Sequence, residues 1–190
     1  ISTGAEKKAP PSSAGPTRLS FKGFRATASR TAAVHDPSHA FDGNTRTRWA
    51  TGDTMQRGDW YALDLGRVVY VSRLVLTCPR HPHDYPAGYE VRVSPDGKHW
   101  SKPVVTGKGR LKETVIGIPG SVLARHLKIT QTGTPSGDYW WGIAELQVYG
   151  RAGPSMEKRL EDTAGQEPDP AEGYRALFGD REKAVLATAG

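Results

Sequence analysis

A single cysteine, Cys78, means that no disulfide can form within these 190 residues. Long apolar runs are missing as well, and none approaches the ~20 residues that a membrane-spanning helix requires. Runs of like charge are equally absent. The formal net charge is +6, but Lys and Arg stand singly among turns and alternating segments, without repeated aromatic platforms. That scatter describes a solvated basic surface and not a nucleic-acid track. No nucleophile elbow, phosphate loop or metalloprotease motif occurs. Retaining glycosidases place two carboxylates beside the scissile bond, whereas Asp and Glu here fall in turns and strand edges, so the expectation is a non-enzyme. A missing secretory leader says nothing about location in a chain that starts at Ile1.

What is present is unevenly distributed. Residues 1–17 are mostly Pro, Ala, Ser and Lys and read as a flexible linker. From Arg151 the composition turns to Glu, Asp, Ala, Gly and Pro. Residues 1–150 hold 20 Lys/Arg against 12 Asp/Glu, while residues 151–190 hold 6 against 8. The core is therefore expected within 18–150. There the apolar residues alternate with a period of two: Tyr61, Leu63 and Leu65; Leu74 and Leu76; Tyr89, Val91 and Val93; Leu127 and Ile129; Leu146 and Val148. Cys78 continues the Leu74–Leu76 face and reads as a buried structural thiol. Ser94-Pro95-Asp96-Gly97 has the composition of a tight reversal. Short strands without helical periodicity predict an all-β antiparallel sandwich. Over 151–190, the spacing of Tyr174, Leu177 and Phe178, with Asp180 as a cap, predicts one or two short helices in a charged linker.

Two distant segments look like halves of one ion cage. Asp42, Asn44 and Thr47 lie in one, Glu145 in the other, and all carry oxygen donors. Gly43 permits the turn between the first two. Hard cations such as calcium take six to eight such oxygens. Possible ligand contacts on loops form three groups: Tyr139 and Trp140 beside Trp141, Arg80, His81 and His83 in one loop, and Arg48 with Thr51 close behind. Trp49, Trp60 and Trp100 read as core, together with one of Trp140 and Trp141, because adjacent strand residues face opposite ways. His81 and His83, with no further His nearby, make a poor zinc site.

The motifs Ala40-Phe41-Asp42-Gly43-Asn44, Thr47-Arg48-Trp49, Trp60-Tyr61, Leu63-Asp64-Leu65-Gly66, Gly88-Tyr89-Glu90-Val91, Ser94-Pro95-Asp96-Gly97, Trp100 and Ile143–Tyr149 occur in one order. Together they resemble the discoidin domain, the coagulation factor V/VIII C-terminal type, and the related family 32 carbohydrate-binding modules. The resemblance covers about residues 18–150. It implies a galactose-binding-like jelly-roll β-sandwich of roughly eight strands with ligand loops at one end. It further implies structural Ca²⁺ held by the His39 carbonyl, Asp42, Asn44, Thr47, the Ala144 carbonyl and Glu145. It also places Trp140 where sugar-binding relatives stack an aromatic ring on their ligand. One departure stands out: the His–Arg–Asn hydroxyl-binding set of those relatives has no secure counterpart, and Arg48 and Thr51 occupy neighbouring positions.

The function expected is thus a non-catalytic carbohydrate-binding module with a glycan partner, galactose-type or acidic. It would be tethered within a larger protein that is extracellular, periplasmic or on the cell surface. Binding to anionic membrane surfaces and protein–protein adhesion are the alternatives. The first needs apolar spikes ringed by basic residues, which only the Tyr139–Trp141 segment offers.

Overall fold

The computed structural model describes residues 15–153 and shows an all-β, antiparallel jelly-roll sandwich. Its strands are β1 (Thr17–Arg18), β2 (Arg25–Ala28), β3 (Trp49–Thr54), β4 (Trp60–Thr77), β5 (Tyr89–Ser94), β6 (Val105–Gly107), β7 (Glu113–Gln131), β8 (Trp140–Ile143) and β9 (Glu145–Ala152). A 3₁₀ helix, Pro37–Phe41, precedes β3. The expected linker over 1–17 lies outside the described residues except for its last three. The helices expected over 151–190 lie outside them altogether. Thr17 pairs with Gly150 and β9 runs to Ala152, so the sheet extends slightly beyond 18–150 at both ends. Edge pairing of this kind uses backbone groups and leaves little trace in side-chain alternation.

The alternating runs are joined into longer strands than their spacing suggests. β4 and β7 span 18 and 19 residues and form the spine of a seven-stranded sheet, six strands in the order β1-β9-β4-β7-β5-β6 and β2 attached to β4. The register of β4 against β7 shifts between Asp64 and Val69 and again between Val71 and Arg73. Bulges bend a strand and increase its twist. The first half of β4 pairs with β2, the second with β9. Gly66 stands at the bend with φ +67°, and a Cβ there would lie 2.7 Å from the Gly23 carbonyl oxygen. Only glycine satisfies both conditions without strain.

Inward residues from these strands form one core. Tyr61, Leu63, Leu65, Leu74, Leu76, Val91, Val93, Leu127, Ile129, Leu146 and Val148 are all buried, as is Cys78. Burial also pushes the Cys78 thiol up from its ordinary value, the mark of an inert thiol. The β5 reversal is held by the Ser94 hydroxyl, which accepts from Gly97 N at 2.9 Å. Asp96 accepts from the backbone of Lys98 and His99.

A two-stranded sheet, β3 with β8, carries the two largest fully buried side chains. Trp49 and Trp141 are fully buried, edge to face at 5.0 Å, and Trp49 packs on Tyr61 at 4.9 Å. Two tryptophans expected in the core are not there. Trp60 and Trp100 are half-buried and flank the Lys128 ammonium, at 5.5 and 4.0 Å from their ring centroids. Trp60 alternates with buried Tyr61 and therefore faces outward, where a cation can stack on it. Replacing Gly66 by Ala is expected to cost about 2 kcal/mol by denaturant unfolding. A loss under about 0.5 kcal/mol would contradict the close approach to Gly23.

Candidate functional site

The first half of the expected cage grows from the 3₁₀ helix. Asp36 caps that helix by accepting from Ser38 N at 2.8 Å, and Pro37 occupies its first position. The chain then leaves through Asp42 and Gly43, whose φ is +79°. Asp42 Oδ1 accepts from Asn44 N at 2.8 Å, and Asn44 Oδ1 from Arg46 N at 3.1 Å. The Thr47 hydroxyl lies 2.6 Å from Asp42 Oδ2 and 2.8 Å from the Asn44 carbonyl. Oxygens of Asp42, Asn44 and Thr47 are thereby gathered into one small loop.

Glu145, first residue of β9, meets this loop from the far end of the chain. It is 6% exposed, and its Oε1 has no hydrogen-bond partner. Burial raises its pKa; hydrogen bonding from Gly43 N–H opposes that, the Asp42 charge adds to it, and Arg18 and Asn44 N–H oppose it. Two carboxylates close enough for the charge of Asp42 to act on Glu145, one with a buried orphan oxygen, make a place that favours a cation. Neutral oxygens complete the donor set, a chemistry that suits calcium over zinc. Among the described residues no three His, Cys, Asp or Glu side chains converge, so carbonyls and Thr47 would have to fill the shell. His39 contributes its backbone to the 3₁₀ helix, while its ring Nδ1 is buried without a partner.

The second arrangement centres on Trp140. Trp141 faces the core and Trp140 faces outward, half exposed, so strand alternation divides the pair. The His35 ring meets Trp140 edge-on at 6.3 Å, and the Arg48 guanidinium carbon lies 5.7 Å from the Trp140 centroid. His35 Nδ1 is 3.1 Å from the Arg48 carbonyl. Beneath the ring, Arg48 Nη1 donates to Asp84 Oδ2 at 2.7 Å, with both side chains about one-tenth exposed. Burial pushes the Asp84 carboxyl up, opposed by Arg48 and by His81, His83 and His35. Burial and the Arg48 charge lower the His81 pKa, keeping its imidazole neutral at pH 7 with one donor and one acceptor nitrogen. Exposed Arg80 adds to the same positive field.

Beside this platform His83 stacks on Tyr139, centroids 4.7 Å apart and planes 13° from parallel. The structure thus brings Arg48 and Trp140 together, places His81 within the field of Arg48 and Arg80, and pairs His83 with Tyr139. Thr51 belongs elsewhere. Buried, it donates to the Asp53 carbonyl and accepts from Trp141 N, so it braces β3 and β8 internally. Sequence reasoning missed His35 and the role of Asp84. Nothing in sequence shows that Asp84 reaches Arg48 across 36 positions.

The F5/8 type C domain profile matches residues 25–146, and the chain belongs to that family. Solved structures with the same fold include a family 32 carbohydrate-binding module of Clostridium perfringens NanJ in complex with galactose. It has 24% identity and TM-score 0.58, and the match covers 70% of this chain and 98% of that one. A chitosan-binding module from a Paenibacillus sp. IK-5 chitosanase/glucanase matches at 28% identity and TM-score 0.54, over 66% and 93% of the two chains. The family 32 module of AlyQ, in complex with 4,5-unsaturated mannuronic acid, matches at 20% identity and TM-score 0.55, over 70% and 97%. No match is found among curated protein sequences.

Removing Asp84 as Asp84→Ala strands a buried guanidinium whose Nε already lacks a partner. The expected loss is about 3 kcal/mol in denaturant unfolding. A change below about 1 kcal/mol would show that the pair is not a structural support.

Proposed function

We propose that this domain is a non-catalytic carbohydrate-binding module with one structural calcium ion, working as a tethered part of a larger secreted or surface protein. The half-buried Trp140 face, with the His35 ring edge-on to it, the Arg48 guanidinium against it and exposed His81 within the field of both, is the observation that carries this reading. A sugar presents an apolar ring face to such an indole, while its hydroxyls need planar groups that donate and accept. Neutral His81 can do both. Exposed Arg80, whose charge acts on His81, argues against protonated glucosamine chains and for neutral or acidic glycans. Tethering would raise substrate concentration near a linked domain.

Membrane-surface binding ranks second. Among the described residues no helix is long and apolar enough to cross a membrane, and surface binding would need several apolar loop tips. Here the exposed positions of the 80–83 loop are Arg80, His81 and His83, and only Tyr139 is both aromatic and exposed on this rim. Adhesion to another protein has no specific observation in its favour.

Calcium would be held by Asp42, Asn44, Thr47, Glu145 and the carbonyls of His39 and Ala144, and the orphan Glu145 oxygen supports that assignment. Calcium at about a hundred times its Kd is expected to add roughly 2.7 kcal/mol to unfolding stability. In Glu145→Gln the calcium-dependent gain should vanish. Equal Tm with calcium and with chelator in the parent protein would remove the ion from the account. For the sugar, a glycan array followed by calorimetry should find binding that falls at least about tenfold in Trp140→Ala. No binding by either protein, or equal binding by both, would reject the glycan reading.

A further inference from the structure

Beyond the His83–Tyr139 pair lies a hollow of about 220 Å³, lined among others by Met55, Tyr85, Lys108, Ser136 and the two stacked rings themselves. We infer that this hollow is a second subsite, which takes the sugar unit adjoining the one on Trp140 and selects a uronic acid there. The inference rests on the glycan-binding reading of the Trp140 face.

The hollow is built into the fold. Gln131, fully buried, accepts at Oε1 from Gly88 N at 3.1 Å and from Gly133 N at 3.2 Å, and Thr132 N donates to the Gly88 carbonyl. A Cβ on Gly133 would lie 2.4 Å from Gly88 N, so the two loops approach as closely as backbones can. On the opposite wall Gly109 N donates to the Pro86 carbonyl at 3.0 Å, and a Cβ on Gly109 would fall 2.2 Å from that oxygen. This seals the segment carrying Lys108 against Tyr85 and Pro86. Two glycine-only contacts thus fix the shape before any ligand arrives.

Size and chemistry set the occupant. Pockets for drug-sized molecules run to ~300–1,000 Å³, so this smaller space suits one sugar ring. Met55, Tyr85 and Tyr139 offer apolar and aromatic surface, and Thr134 and Ser136 offer hydroxyl partners. Lys108 is the one fixed charge in the lining, no carboxylate joins it, and it makes no ion pair among the described residues. An ammonium free of internal partners, at the edge of a hollow without acids, complements a sugar carboxylate. His83 and Tyr139 line the hollow and Tyr139 directly precedes Trp140 in the chain, so the stacked pair is the step over which the glycosidic linkage would pass.

Calorimetry in 0.1 M salt with calcium present tests this, using galacturonides of one, two and three units and neutral galacto-oligosaccharides of equal length. The acidic dimer should bind about five- to tenfold more tightly than both the acidic monomer and the neutral dimer. In Lys108→Ala the acidic and neutral dimers should bind alike. Raising salt to about 0.5 M should shrink the acidic preference in the parent protein. If the parent protein binds sugars but shows no gain with charge or length, or if Lys108→Ala keeps the acidic preference, the second subsite is rejected while the Trp140 platform stands. If no saccharide binds the parent protein at all, both fall together.

Discussion

The ion pair between Arg48 and Asp84 is the constraint around which the binding end is organised. It is almost fully buried, it joins the start of β3 to the loop after β4, and its guanidinium lies under the Trp140 ring. Such pairs gain little net stability, because taking both charges out of water offsets most of their attraction. Their geometry is nonetheless fixed, since neither charge can be left alone. Gly142 is part of that geometry: a Cβ there would stand 3.0 Å from Asp84 Oδ2, and Gly142 N donates to the Asp84 carbonyl. Three separate parts of the chain thus meet beneath the half-buried Trp140 indole.

The proposed ion cage and the proposed sugar platform are continuous along the backbone. Thr47 closes the cage loop and Arg48 begins the platform; Trp140 starts β8, and Ala144 and Glu145 follow its last residue. An ion between Asp42 and Glu145 would clip segments about a hundred residues apart. It would limit the open chain more than a local contact can. The same clip would hold β3 and β8 in register where they present Arg48 and Trp140. Stability and recognition would then share one set of residues.

The periodicity of two located the core strands, since every alternating position from Tyr61 to Val148 singled out in the sequence is buried, while Phe24, Met55, Val69, Val71, Ile116 and Ile118 join the core without having been singled out. The separation of Trp140 from Trp141 was legible for the same reason. What could not be read was the length of β4 and β7, because a bulge interrupts alternation without ending the strand. The outward Trp60 and Trp100 escaped as well: composition reads an indole as core material, but Lys128 stacks on both rings at the surface. In the candidate site, residues within one loop were recognisable as a group, such as Asp42 with Asn44 and Thr47. The partner of Arg48 and the approach of His35 to Trp140 arise from tertiary packing and have no local signal.

Five tryptophans give the chain five indole N–H reporters in distinct settings. Trp49 and Trp141 lie in the core, Trp60 and Trp100 beside Lys128, and Trp140 on the loop end. A nitrogen–proton correlation spectrum recorded while a binding glycan is titrated, with peaks assigned through single Trp→Phe variants, reads all five at once. The largest shift should fall on Trp140, with the two core indoles nearly still. Saturable shifts centred on Trp60 and Trp100, with Trp140 unmoved, would contradict the placement of the binding surface.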